Sequence, residues 1–155
     1  MKRIHLAAGI AEVGGRVLLV ASRYPNHADP LWNLPGGRQA HGELLPETAI
    51  REIREETGLR ARVVELAYLA ESYDGDEHFL CTVFRVAVEG TIAPAGEGDH
   101  VVAVEWVPVA ELPARLSVGV VREPLVAYLR HMLPQRYAGY ESAGITIRWP
   151  TDSEV

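Results

Sequence analysis

The order of apolar patterns along this chain predicts an α/β fold, a mixed β-sheet flanked by helices. Three observations carry that prediction. Strand-like apolar runs occupy the first twenty residues, the middle and the region around 101–108; a helical pattern interrupts them in mid-chain at about 46–57; and a second helical pattern follows near 120–132. A chain of 155 residues is the size of one domain and can bury roughly 70% of its unfolded surface. No repeat or low-complexity segment divides it. The expectation is one domain over 1–155, with its core at about 3–133 and residues 134–155 as a C-terminal extension.

Taken in order, residues 4–12 alternate, with Ile4, Leu6, Ala8 and Ile10 on one side. Val13-Gly14-Gly15-Arg16 turns, and Val17 to Val20 continues as a more fully buried strand, so the pair is expected to form a hairpin. Residues 24–31 are rich in turn formers and read as a surface loop. Trp32 to Pro35 then leads into Gly36-Gly37, where paired glycines permit close approach of a ligand. The mid-chain helix should begin near Pro46, whose fixed φ suits a first turn, and end at Gly58. Ala49, Ile50, Ile53 and Thr57 form its core-facing stripe. Ala61 to Tyr73 and Glu77 to Glu89 form a second hairpin about Asp74-Gly75, with Leu80, Thr82, Phe84, Val86 and Val88 sharing a side. Val101 to Pro108 is a strand, Ala110-Glu111-Leu112 a short helix. The last helix, 120–132, is drawn by Val120, Val121, Leu125, Tyr128, Leu129 and Met132, with Pro124 placed in its first turn. Gly144 to Trp149 can add an edge strand.

With 15 Lys and Arg against 21 Asp and Glu, the net charge is -6. There is no basic footprint for a nucleic-acid polymer or an anionic membrane. The single cysteine, Cys81, excludes an internal disulfide, suits a reducing cytoplasm, and is expected as a small core residue. Glu12 cuts the first apolar run short of a signal peptide, and no apolar stretch approaches the length of a membrane span. A cytoplasmic location is expected.

The charges on the mid-chain helix are uneven. Glu47 with Arg51, and Arg51 with Glu55, stand at ion-pair spacing. Glu52 and Glu56 have no cation at helical spacing and repel one another as an i, i+4 pair. Such carboxylates beside an apolar stripe suggest a cation absent from the sequence, and oxygen ligands favour Mg²⁺, Mn²⁺ or Ca²⁺.

The segment Gly37 to Leu59 resembles the Nudix box, G-x5-E-x7-R-E-U-x-E-E-x-G-U with U aliphatic. It fits at every fixed position: Gly37, Glu43, Arg51, Glu52, Ile53, Glu55, Glu56, Gly58 and Leu59. The W-x-L-P-G-G approach and the strand and short helix at 105–112 are similar to the same family. The resemblance implies the Nudix α/β/α sandwich and the hydrolysis of a nucleoside diphosphate linked to another moiety, in which water attacks phosphorus and a phosphoanhydride bond breaks.

On that resemblance, Glu52 and Glu56 are expected as Mg²⁺ ligands (Mn²⁺ being an alternative), with Glu55 bound directly or through water and a backbone carbonyl at Gly36 or Gly37 completing the shell. Glu52, Glu55 and Arg51 are the expected catalytic group. Arg51 would orient the carboxylates, and Glu43 would support the loop and helix start or stand outside the metal ligands. The general base is left open between Glu52 and Glu97, Asp99 or His100. Ala40 and Leu44 depart from the pattern, removing a loop carboxylate and a helix N-cap. Arg23, Arg38 and Tyr73 are substrate-binding candidates, each with an equally ordinary surface role. Tyr24, Tyr140 and Trp149 could stack a base, whereas Phe79, Trp32 and Trp106 suit packing and His5, His41 and His78 suit plain strand or loop positions.

The expected activity is Mg²⁺-dependent pyrophosphohydrolysis of a small nucleotide, with a homodimer open as an assembly. The competing view is a non-catalytic nucleotide-sensing module. A role in RNA 5′-end processing is disfavoured by the acidic balance.

Overall fold

The computed structural model of the chain describes residues 1–93 and 100–142. Nine strands and three helices occur among them. β1 (Lys2–Ile10), β5 (Gly36–Arg38), β6 (Arg60–Asp74), β7 (Glu77–Glu89) and β9 (Tyr137–Gly139) form a five-stranded sheet in the order β5-β1-β7-β6-β9. β1 with β7 and β6 with β9 run parallel and the other neighbours antiparallel, so the sheet is mixed. β2 (Glu12–Val13), β3 (Arg16–Ser22), β4 (Leu31–Asn33) and β8 (Val101–Pro108) form a second sheet, in which β3 pairs with the other three.

Apolar residues on both faces of the first sheet explain the layers. On one face α1 (Leu45–Thr57) sets Ala49 and Ile53 against Ala7, Leu18, Phe84 and Val86. On the other, α2 (Leu112–Arg115) and α3 (Gly119–Leu129) contribute Leu112 and Leu125 to a cluster with Ile10, Leu19, Tyr68 and Val83. Each fully buried leucine of this kind contributes about 1.5–3 kcal/mol. The result is an α/β/α sandwich. No helix among the described residues is long and apolar enough to cross a membrane.

Several expectations change in the folded chain. The alternating run at 4–12 does not form a hairpin with 17–20. It breaks at Ala11, leaving β1 in the first sheet while β2 and β3 make the short hairpin of the second; the Leu18 amide bonds the Ala11 carbonyl at 3.1 Å across the break. Strict alternation also ends at Ala7, because β1 lies between two cores and Ala7 to Ile10 are all buried. In α1, Ile50 stays half-buried and Thr48 is buried beside Ala49 instead. Pro124 sits inside α3, beyond its first turn, and the helix ends at Leu129, which leaves Met132 outside and exposed. A proline there removes one i to i−4 hydrogen bond, a loss that burial of the ring and of Leu125 offsets. The edge strand is β9, while the segment expected to supply it, Gly144 to Trp149, lies outside the described residues, as do Glu97 and Asp99.

Candidate active site

The loop after β5 and the first turns of α1 are held by one arginine. Arg51 donates from Nε to Glu43 Oε2 at 2.6 Å and from Nη2 to Glu43 Oε1 at 3.1 Å, a two-pronged pair. Its Nη1 reaches Glu52 at 2.9 Å and Glu55 at 3.1 Å, and Nη2 also donates to the Arg38 carbonyl at 3.1 Å. Glu43 further accepts the Ala40 amide at 2.9 Å and the Thr48 hydroxyl at 3.0 Å. The Arg51 hydrogen bond, followed by that of the Ala40 amide, holds the Glu43 carboxyl down to about 2.

These contacts correct the charge pattern expected from helical spacing. Glu52 is not without a cation, because Arg51, its immediate neighbour, turns its guanidinium along the helix surface to meet it. Glu47 does not take up Arg51. Its carboxylate accepts the Leu44 amide at 2.7 Å and so satisfies one donor at a helix start whose cap residue, Leu44, has no side-chain acceptor.

Glu56 has a different environment. It is 4% exposed, and no lysine or arginine among the described residues pairs with it. Its Oε1 accepts the Gly36 amide at 2.8 Å, and its Oε2 lies 3.9 Å from His100 Nε2. Burial, with Glu52 next, pushes its carboxyl well above the usual range, against the Gly36 hydrogen bond. Burial also raises Glu52, against the pull of Arg51. The Glu52 carboxylate lies over Gly37 so closely that a Cβ added there would stand 2.6–2.8 Å from its carboxyl atoms. Glycine at 37 is what lets the carboxylate meet this backbone edge. Gly58, at φ 79°, ends the helix and donates its amide to the Arg54 carbonyl at 2.9 Å.

Glu56, Gly36 and Gly37 form one end of a cleft between the two sheets. Alternate residues of β6 (Tyr68, Ala70, Ser72, Asp74) and β7 (Phe79, Cys81, Val83) line its floor, and Asn33, Tyr24 and Val121 its opposite side. Small side chains at Ala7, Ala8, Ala70 and Cys81 make the space, and the lining is mainly apolar with a few polar groups, as in small-molecule sites. Ser72, Asp74 and Asn33 were not singled out by sequence. The period of two along β6 was the available signal, since Tyr68 to Asp74 alternate toward one face. Phe79, expected in the core, lines this cleft. Cys81 does too, although its thiol is shielded and burial pushes it up to about 12. Tyr24 is buried, and burial followed by the Glu56 charge pushes its hydroxyl up to about 12, so it is a donor at neutral pH.

The cleft does not gather every candidate. Tyr73 points to the other face of β6 and stacks on His78, ring centroids 4.4 Å apart. Arg23 is exposed and outside the lining, although its amide donates to the His100 carbonyl at 2.6 Å. Arg38 meets the site through its carbonyl, on Arg51.

A hard divalent cation fits this donor set. Two buried or half-buried carboxylates, a third one turn along the helix and an open glycine backbone offer oxygen, and no lysine or arginine among the described residues pairs with Glu56. No group of three or more acidic, histidine or cysteine side chains among the described residues is arranged to hold a metal ion by itself.

The NUDIX domain model matches residues 2–129. Among curated proteins, the ADP-ribose pyrophosphatase of Methanocaldococcus jannaschii is 37% identical over 91 residues, 57% of this chain and 53% of its own length. The chain spans about half the length of curated relatives it matches. Among solved structures, a NUDIX hydrolase from Nitrosomonas europaea superposes with a TM-score of 0.76 at 21% identity, over 88% of this chain and 93% of that one. A MutT NUDIX hydrolase from Burkholderia pseudomallei superposes at 0.69 with 26% identity, over 81% and 97%.

Proposed function

The chain belongs to the Nudix family, and from that premise we propose that it is a Mg²⁺-dependent pyrophosphohydrolase of small nucleotides, Mn²⁺ being able to replace Mg²⁺. The observation that carries the proposal is the buried Glu56 carboxylate, beside Glu52 at the glycine edge of an apolar cleft and unmatched by any lysine or arginine among the described residues. Glu56 and Glu52 hold the cation, with Glu55 and the Gly37 carbonyl as further oxygen donors. A divalent cation there supplies charge neutralisation to phosphate oxygens and acidifies a water.

The remaining work falls to the chain. Water adds to phosphorus, the bridging P–O bond breaks, and the displaced phosphate leaves with the bond's electron pair. Glu52 takes the water's proton as general base, its carboxylate held over Gly37 by Arg51. Arg51 keeps Glu52 and Glu55 in place while anchoring the loop through Glu43. The apolar floor around Ala70, Phe79 and Cys81 receives the uncharged part of the nucleotide. ADP-ribose and nucleoside triphosphates are the compounds to assay first, the former because the M. jannaschii relative is named an ADP-ribose pyrophosphatase.

The test is a nucleotide panel with product identification, run with Mg²⁺, with Mn²⁺ and with EDTA. Metal-dependent cleavage is expected, releasing pyrophosphate or phosphate from a nucleoside triphosphate and two phosphomonoesters from ADP-ribose. Undiminished cleavage in EDTA contradicts the mechanism. Binding of a nucleotide, seen as a raised melting temperature, with no cleavage of any panel member would mark a sensing module instead.

A further inference from the structure

A second cluster of polar side chains stands behind the cleft, on the opposite face of β6. Glu71 accepts the Tyr137 hydroxyl on Oε1 at 2.5 Å and faces His78 Nε2 across 2.6 Å with Oε2. His78 is 7% exposed and is sandwiched by the Tyr73 ring, 13° from parallel. Tyr137 belongs to β9, which pairs with β6 at Leu69, Ala70 and Glu71. Register places Gly139 opposite Glu71, and Tyr137 reaches the carboxylate by lying across that glycine: a Cβ on Gly139 would stand 2.6 Å from the Tyr137 hydroxyl oxygen and 3.1 Å from two ring carbons.

The position of this strap along β6 is informative. The pairing of β6 with β7 slips between Leu66 and Tyr68, so the ladder alone fixes the strand poorly there. Arg136 takes over at that point, its guanidinium donating to the Leu66 carbonyl and its own carbonyl accepting the Leu69 amide at 3.0 Å. The Tyr140 amide closes the strap on the Glu71 carbonyl at 2.8 Å. The residues thereby fixed are Tyr68, Ala70 and Ser72, whose side chains form the cleft floor on the other face.

We propose that Tyr137, Glu71 and His78 are positioning residues, which lock the strap onto β6 and so hold the cleft floor in the shape that receives the uncharged part of the substrate. The inference rests on the cleft being the nucleotide site. Tyr137 and Glu71 touch no reacting atom, so their loss should weaken substrate binding and leave the chemical step alone. His78 aims the second oxygen of Glu71, so that the first stays on Tyr137.

The test uses the full chain and three variants: Tyr137→Phe, which deletes the hydroxyl; Gly139→Ala, which keeps it but pushes it off Glu71; and Tyr137→Phe with Glu71→Gln together. Amide exchange at residues 68–72 and steady-state kinetics with dGTP or ADP-ribose, whichever is cut, are the readouts. Loss of one such hydrogen bond should speed exchange at 68–72 by about 5- to 10-fold and leave that of α1 unchanged. KM should rise several-fold with kcat within about two-fold, equally in both single variants, and the double variant should add little, since its members share one contact. Exchange that stays unchanged, KM that does not move, or kcat that falls with KM constant overturns the proposal. If no nucleotide of the panel is cut, the hydrolase function itself fails, and exchange at 68–72 with dGTP bound and absent decides the lock: protection by dGTP in the wild type that is lost in Gly139→Ala supports it, and equal protection in both, or none in either, overturns it.

Discussion

Two ends of one row of carboxylates are treated in opposite ways. At one end Glu43, in the loop before α1, shares the Arg51 guanidinium with Glu52 and Glu55. At the other, Glu56 is buried with the Gly36 amide on one oxygen and an imidazole 3.9 Å from the other. The Glu43 carboxyl is held down to about 2 by Arg51, and that of Glu56 is pushed up by burial. The first arrangement is a finished structural device, which holds the loop to the helix. The second is destabilising for the folded chain at neutral pH, a cost that the proposed cation would offset.

The largest expected effect breaks the buried end. Glu56→Gln should lower kcat by about 100- to 1000-fold, as removal of a metal-binding carboxylate does. In EDTA it should stabilise the fold by about 1–3 kcal/mol, because a buried charge without an ion partner is replaced by a neutral amide. Chemical denaturation with and without Mg²⁺ reads both signs, and a variant less stable than wild type in EDTA contradicts the assignment.

Breaking the paired end should cost less. Arg51→Lys forfeits the two-pronged grip on Glu43 and should reduce activity about 10- to 100-fold, through misplacement of Glu52 and Glu55. Its effect on stability should be only about 1 kcal/mol, since Arg51 and its partners are partly exposed and screened by solvent. Steady-state kinetics with a urea melt separates the two.

The pH dependence of stability contrasts the two ends directly. Glu56 has a folded-state pKa above its unfolded value, so its cost is full above the folded value, shrinks as pH falls between the two, and is absent below the unfolded one. Glu43 has the reverse sign: its stabilisation is full above the unfolded value near 4.5 and is lost as pH falls toward about 2. Metal-free protein should therefore first gain stability on acidification and then lose it. In Glu56→Gln the gain should vanish, and in Glu43→Gln the loss should be smaller. Melts across the acid range check this, and a steady decline from neutral pH in the wild type would speak against it.

The smallest effect concerns the helix start. Leu44 is 69% exposed and caps with no side-chain acceptor, so Leu44→Ser should add about 0.5–1 kcal/mol. A melting-temperature comparison in which activity stays unchanged confirms that the cap is separate from the chemistry.

What could be read in advance depended on how local each feature is. Pro46, the stripe Ala49-Ile53-Thr57 and Gly58 lie within one helix, and periodicity found them. The α/β/α layering followed from the order of strands and helices together with the resemblance of Gly37–Leu59 to the Nudix box. The two-pronged pair of Arg51 with Glu43 spans eight residues and the loop-to-helix junction, so helical spacing assigned Arg51 to Glu47 instead. The contact of Arg51 with Glu52 was missed because neighbours on a helix point apart unless one side chain is long enough to turn back. The break at Ala11 was invisible because an alternating strand reads the same whether it continues in one sheet or passes into another. The cleft polar groups Asn33, Ser72 and Asp74 come from two sheets and acquire meaning only once those sheets face each other. His78 read as a plain strand residue, since its partner Glu71 reaches it only through the β6–β7 register.

Whether the buried Glu56 carboxylate serves a divalent cation is read most directly from the carboxyl ¹³C titration of Glu56 in isotope-labelled protein, with and without Mg²⁺. A midpoint well above the ordinary glutamate value is expected without metal and a large fall in it when Mg²⁺ is added, with Glu43 titrating low in both. A Glu56 midpoint at the ordinary value, or a raised one that Mg²⁺ leaves in place, would contradict it.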